Sequence, residues 1–272
     1  MARGDRKDRT RPDRGLRRPM KKKLKYGLGV LAVCYVLLVA GIGCVQRSLL
    51  YFPEHQAGAM LARENGLQRW EIQGEYAGYA RVVDHPRKVW LFLHGNAGQA
   101  AGRGYVLPHL SPQESVYVLE YPGYGERAGK PTMESLNAAA VAAYRDLVAR
   151  FGRANVQVLG ESLGTGPASF LGSLADAPPR IVLLVPFNAI ADVAQEVYPY
   201  LPIKLVMLDR WDNARALKSY AGRLEIYGAK LDEVIPVRHA KSLAAALPSS
   251  IYRELETGHG WSRAANLNLS DN

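Results

Sequence analysis

Cysteine is nearly absent from this chain. Two occur in 272 residues, Cys34 and Cys44, and both fall inside one apolar stretch near the N-terminus. No disulfide can therefore staple the remainder, whose stability must come from a buried core. A hydrophobic content of 48% is ample for one. His and Cys pairs at metal-ligand spacing are lacking too, so no metal site is expected. No repeat recurs at a period of about 20 to 50 residues, which sets aside solenoids and propellers.

Positive charge is scarce where nucleic-acid binding would need it. The net charge is +10, but residues 1–25 hold twelve Lys/Arg against Asp5, Asp8 and Asp13 and account for +9 of it. The rest of the chain is close to neutral and offers no basic nucleic-acid surface. The basic tail, poor in apolar residues, is expected to be disordered.

Directly after it comes YGLGVLAVCYVLLVAGIGCVQ, Tyr26 to Gln46, without one charge. As a helix this run spans about 30 Å, the thickness of a bilayer's hydrocarbon. It has no polar face, unlike a core helix of a soluble protein. Dense Lys/Arg on its N-terminal side, against Arg47 alone just beyond, places the N-terminus in the cytoplasm and the rest of the chain across the membrane. That is the periplasm in a Gram-negative bacterium. An uncleaved anchor is favoured over a signal peptide, because the run is long and AGIGCVQ has no clear small-x-small cleavage site. The alternative is a lipoprotein anchored at Cys44, although Gly41 stands where Leu or Val is expected.

After a juxtamembrane stretch, RSLLYFPEHQ, strand and helix patterns alternate. WEIQG and YARVVD are predicted strands. KVWLFLHG (88–95) and SVYVLEY (115–121) are apolar runs of the kind buried on both faces of a sheet. TMESLNAAAVAAYRDLVARFG is predicted helical, capped by Thr132 and stopped by Gly152. Then come strand NVQVLG, helix GTGPASFLGSLAD, strand RIVLLVP, a mixed segment 188–218, strand RLEIYG, helix VRHAKSLAAAL and strand SIYRELE. The alternation predicts one α/β domain over 47–272, with a mostly parallel sheet covered on both faces. Segment 188–218 is expected to pack over or beside the site, as ordinary helix core or as the lining of an acyl channel. In such sheets reactive groups gather at the carboxyl ends of the strands.

At one such end lies GESLG, residues 160–164. A glycine-rich chain of this size can produce G-x-S-x-G by chance, so the setting matters more than the motif. Ser162 falls after a strand and before a helix, as a nucleophile elbow requires. Gly160 and Gly164 then leave room for a tight turn, and the Leu163 amide points where a negative oxygen would develop. The serine needs a base. Of His55, His85, His94, His109, His239 and His259, only the last two lie far enough along for the chain order serine, acid, histidine. His259, in the glycine-flanked loop ETGHGW after the last strand, is preferred. His239 sits in an amphipathic helix and is expected to be solvated or half-buried. The imidazole needs a carboxylate, and YGAKLDEVIP supplies Asp232, with Glu233 ranked second. Asp209 and Asp212 are expected to be helix caps or loop ligands for backbone amides. LFLHGNAGQ ends an early strand in a loop that can lend the Asn96 amide to an oxyanion hole, with His94 tethering that loop.

These stretches resemble an α/β-hydrolase. More narrowly the chain is similar to the membrane-anchored Bem46-like group, which includes the ABHD13- and ABHD17-like serine hydrolases. LLYFP, LFLHGNAG, YPGYGERAGKPT, LGESLGTG, YPYLPIKLVMLDRWDN, YGAKLDEVIP and GHG occur in the family's order and span about four fifths of the chain. The resemblance implies a serine hydrolase of acyl esters or thioesters, with Ser162, Asp232 and His259 as catalytic triad, oxyanion amides at Asn96 and Leu163, and no cofactor. Three departures stand out. Arg127 replaces the serine of the family's GYGxSxG, the acid strand ends YGAKLD rather than HGxxD, and the closing helix is short or missing after GHGW. GYGERA mimics a dinucleotide fingerprint, but Gly129 and Pro131 separate it from the next helix. GKPT mimics the end of a P-loop, but Pro131 occupies the hydroxyl position.

The expected substrate is a small acyl ester or thioester, or a lipid, given the membrane anchor. A peptidase or acyltransferase of the same fold is the first rival, though no charged anchor for a peptide terminus can be identified. A non-catalytic hydrolase-like binding protein is the second, and would be expected to lose a triad member.

Overall fold

The computed structural model describes residues 17–56, 58–264 and 267–270. The chain parts into two compact units, Met1–Cys44 and Val45–Asn272. Most of the first unit belongs to one long helix, α1 (Arg17–Leu50). From Lys23 to Leu50 it is long and apolar enough to cross a membrane, with mean hydropathy 2.6 in its most apolar window and none of that window buried. The helix exceeds the expected 26–46 at both ends. Helix α1 takes in 17–25 of the basic stretch, and residues 1–16 lie outside the described residues. Lys, Arg, Leu and Met are good helix formers, so a helix nucleated in the apolar run propagates through its basic flank.

The second unit is built on an eight-stranded sheet. Its strands are β2 (Gln68–Ile72), β3 (Glu75–Arg81), β4 (Val89–Leu93), β6 (Ser115–Leu119), β7 (Val156–Glu161), β8 (Arg180–Leu184), β9 (Arg223–Ala229) and β10 (Ile251–Leu255). They lie in the order β10-β9-β8-β7-β4-β6-β3-β2. The six from β10 to β6 run parallel, β3 runs antiparallel to β6, and β2 runs antiparallel to β3. Two further short strands, β1 (Phe52–Pro53) and β5 (Ala97–Gly98), pair with each other.

Alternate residues of the central strands go to opposite sides, as strand geometry demands. On one face Leu91, Leu93, Val158 and Leu183 join Leu136, Ala140 and Leu147 of α3 (Met133–Phe151), Ala168 and Leu171 of α4 (Thr165–Gly172), and Leu243 of α8 (Arg238–Ala246). On the other, Trp90, Phe92, Leu159 and Val182 pack with Ala62 of α2 (Gly58–Glu64), a 3-10 stretch Ala100–His109, and the C-terminal Trp261 and Leu269. Both faces are therefore dry, which is why these strands read as unbroken apolar runs. Thr132 caps α3 by accepting from the Ser135 amide, while the Ser135 hydroxyl accepts from Thr132 N, and Gly152 ends the helix at φ +80°.

Segment 188–218 forms three short helices, α5 (Ile190–Val197), α6 (Ile203–Val206) and α7 (Asn213–Ala216). Ile190, Ile203, Met207, Trp211 and Leu217 enter the main core, so much of the segment is helix core. After β10 the last helical element among the described residues is a 3-10 turn, Trp261–Arg263. Beyond it the chain crosses to the 3-10 stretch, where His109 contacts the Leu267 carbonyl and accepts the Leu269 amide on its own carbonyl.

Candidate active site

Ser162 stands on the turn between β7 and α4, with φ +52°, a left-handed value rare for a residue with a side chain. Holding it there costs about 1–3 kcal/mol and needs a surround that permits no other path. Gly160 and Gly164 supply that surround. A Cβ on Gly160 would stand 2.8 Å from the Ala168 Cβ and from the Gly164 carbonyl oxygen. One on Gly164 would stand 1.9 Å from the Leu93 carbonyl oxygen. The Thr165 hydroxyl donates to the Ser162 carbonyl at 2.6 Å, and Asn213 Nδ2 donates to that hydroxyl in turn. Ser162 is 5% exposed, so the hydroxyl sits at the floor of the site.

His259 lies on the loop after β10, its Nε2 3.1 Å from Ser162 Oγ. Its Nδ1 is 2.8 Å from Asp232 Oδ2, on the loop after β9. The other carboxylate oxygen, Oδ1, accepts the amides of Val234 and Ile235, both at 2.8 Å. The acid loop and the histidine loop are laced together, because Lys230 N donates to Leu255 O and Leu231 N to Thr257 O. The three side chains thus meet at the carboxyl ends of β7, β9 and β10, brought together from loops far apart in sequence. Glu233 is exposed and takes no part.

The loop between β4 and β5 runs against the serine, since a Cβ on Gly95 would lie 3.5 Å from the Ser162 Cβ. Asn96 is fixed on three sides. Its Nδ2 donates to the Leu50 carbonyl at 3.0 Å, and its own carbonyl accepts from Phe52 N and from the Tyr124 hydroxyl. Leu163 comes next after the serine, in the first turn before α4.

Other expectations resolve individually. Asp212 caps α7 by accepting the Arg215 amide. Asp209 accepts the Met133 amide and the Arg47 guanidinium, in the loop-ligand role expected of it. His239 is a correction: it is buried, with Nδ1 2.7 Å from Asn188 Oδ1 and Nε2 3.2 Å from Glu196. The amphipathic pattern of α8 could not show that α5 closes over its polar side. Arg127 donates to the Glu120 carbonyl at 2.6 Å while its backbone closes the turn on Gly123 and Tyr124, and burial pushes its pKa down.

His94 is wholly buried, near the rings of Tyr121 and Tyr124, and its Nδ1 donates to the Gly95 carbonyl. Burial, reinforced by the nearby Arg103 charge, holds its pKa below the ordinary imidazole value. The unfolded chain takes up a proton there below about pH 6.5, and the folded chain resists. This contribution to stability is therefore complete above about pH 6.5 and is lost as pH falls towards the depressed folded value. Thermal unfolding from about pH 7 to 5 is expected to show a steeper loss of Tm in the parent than in His94→Gln. Parallel curves would contradict it.

A set of partly buried residues behind the serine carries no sequence signal. Tyr105 donates to Glu161 Oε2 at 2.5 Å, Arg103 donates to the Tyr105 hydroxyl at 3.2 Å, and Arg103 also reaches the Ala97 carbonyl. The residue before the serine is thereby tied to the loop carrying Asn96. Arg103 and Tyr105 ride on the 3-10 stretch, whose sequence AAGRGYVLPH has no helical or strand periodicity.

Strands, elbow and side-chain relay of this kind define a class. Residues 90–266 match the alpha/beta hydrolase family, and the chain belongs to it. An uncharacterized protein of Mycobacterium tuberculosis is 31% identical over 240 residues, covering 79% of this chain and 81% of that one. The lysophosphatidylserine lipase ABHD12 of Rattus norvegicus is 29% identical over 65% of this chain, which spans 49% of the lipase. Among solved structures, an esterase of Pyrococcus furiosus superposes with TM-score 0.58 at 14% identity, over 77% of this chain and 91% of the esterase. An alpha-beta hydrolase from Vibrio vulnificus gives 0.57 at 18% identity, over 78% and 91%.

Proposed function

We propose that the protein is a serine hydrolase that cleaves carboxylic esters or thioesters of acyl substrates through an acyl-enzyme, a member of the Bem46-like group anchored in the membrane by residues 26–46. The observation that carries this is the relay Ser162–His259–Asp232, closed at 3.1 and 2.8 Å on a strained elbow. Ser162 Oγ attacks the acyl carbon as its proton passes to His259 Nε2. Asp232, held by two backbone amides, keeps the Nδ1 proton in place and stabilises the imidazolium. The Asn96 and Leu163 amides receive the tetrahedral oxyanion, each worth about 3 kcal/mol in comparable sites. His259 then protonates the departing alcohol or thiol, and water releases the acyl group by the reverse relay. Nucleophile, base and amide donors all belong to the chain, so the cycle calls for no cofactor.

The substrate side favours lipids. A lysophosphatidylserine lipase is among the relatives, and the apolar helix would keep the domain at a membrane. The basic flank of that helix supports a cytoplasmic N-terminus and an extracytoplasmic domain. A fluorescent fluorophosphonate tests the chemistry directly. Membranes carrying the parent protein are expected to give a labelled band, and membranes carrying Ser162→Ala none. Equal labelling of both, or of neither with the protein folded, would sink the proposal.

A further inference from the structure

The geometry points to a second surface with a job: Val197, Leu205 and Leu208, beside the juxtamembrane turn, rest on the lipid bilayer and hold the mouth of the site at its surface. This extends the anchored-hydrolase reading above and depends on the anchor. The apolar run ends in sequence at Val45, so Gln46 and Arg47 mark where the chain leaves the hydrocarbon.

Gln46 Nε2 donates to the Val206 carbonyl at 3.2 Å, and its Oε1 accepts the Leu208 amide at 2.7 Å. Arg47 Nε bonds Asp209 at 3.0 Å, and Asp209 is buried. Three consecutive interactions thus fix residues 206–209 at the level of the chain's exit from the membrane. On and directly before that segment, Leu208 is 55% exposed and Leu205 79%, with Val197 exposed on the neighbouring α5. An aqueous domain gains nothing by presenting these side chains to water, whereas at a bilayer they enter the acyl boundary. Lys204, paired with Asp192, and Arg210, whose guanidinium donates to the Leu205 carbonyl, flank them with basic charge.

The position of the site depends on the same few residues. Leu50 lies four residues past Gln46 on one helix, about 6 Å further along its axis. Its carbonyl accepts from Asn96 Nδ2, Phe52 N donates to the Asn96 carbonyl, and Glu54 N donates to Gly98 O. The loop proposed to hold the oxyanion is therefore tied to the chain about one helical turn past the end of the apolar run. A substrate whose acyl chain stays in the membrane can present its ester there without crossing water.

The test uses the full chain in lipid nanodiscs, with Cys34→Ser and Cys44→Ser as background. A nitrobenzoxadiazole probe is placed at Leu205→Cys, at Leu208→Cys, or at Val82→Cys, an exposed position at the opposite end of the sheet. Lipids with nitroxide on the upper acyl chain are expected to quench positions 205 and 208, and aqueous iodide to quench only 82. Iodide quenching of 205 as strong as that of 82 overturns the proposal. So does protection from iodide without lipid quenching, the mark of a second copy covering the patch. These readings need no activity, so they stand apart from any failure of the hydrolase chemistry. If both ideas hold, Leu205→Glu with Leu208→Glu lowers turnover of a long-chain ester in the nanodisc about tenfold and leaves a water-soluble short ester unchanged.

Discussion

Asp232→Asn is expected to lower kcat on a short aryl ester about 10⁴-fold, with little change in KM or in unfolding midpoint. The reason lies in how the carboxylate is divided. Oδ1 accepts the Val234 and Ile235 amides, and Oδ2 faces His259 Nδ1 at 2.8 Å. An asparagine keeps its oxygen on the two amides, so the loop survives, and turns its NH2 towards Nδ1. That nitrogen must then accept, and the imidazole proton moves to Nε2, the atom 3.1 Å from Ser162 Oγ. A protonated Nε2 cannot take the serine's proton. Asp232→Ala, by contrast, leaves two amides unpaired and should lose stability as well, about 1–3 kcal/mol. Glu233→Gln is the internal control, because that side chain is exposed, and it should change neither quantity. A kcat for Asp232→Asn within tenfold of the parent would mean that another carboxylate orients the histidine.

How much of this is legible in the sequence depends on how local each feature is. VWLFL and VQVLGE read as strands because both faces of the sheet are covered, and that burial writes an unbroken apolar run. Thr132 and Gly152 bracket α3 because caps are made by residues next to the helix. Ser162, Asp232 and His259 can be singled out as candidates because each falls on a loop that follows a strand, and a parallel sheet sends all such loops to one end. Contacts between distant segments leave no such mark. The Phe52–Pro53 pairing with Ala97–Gly98 needs only two residues a side. The Arg103–Tyr105–Glu161 chain hangs on an irregular 3-10 stretch without a repeating face. The burial of His239 is hidden for the same reason, since α5, which covers it, is another element altogether.

Gly164→Ala is the substitution that joins fold and site most directly. Its new Cβ would lie 1.9 Å from the Leu93 carbonyl oxygen, 2.5 Å from the carbon and 2.7 Å from the His94 oxygen. All three are backbone atoms, so no side chain can swing aside, and relief must come by parting β7's elbow from the end of β4. Such overpacking is expected to cost about 3 kcal/mol. The end of β4 leads straight into the loop that carries Asn96, so the same displacement moves the proposed oxyanion donor relative to Ser162. A shift of about 1 Å there is enough for a further loss of about 10²-fold in kcat/KM. Gly102→Ala separates this from any general effect of removing a glycine, because its nearest neighbour, a Leu61 methyl, would be 3.8 Å away. Gly102→Ala should leave both quantities near the parent's, within about 0.5 kcal/mol for stability. Fluorophosphonate labelling rates and denaturant unfolding on the same samples distinguish the two parts. Loss of stability with a normal labelling rate would mean that the elbow and the Asn96 loop move independently, and that the close approach at Gly164 holds the sheet together without setting the geometry of the site.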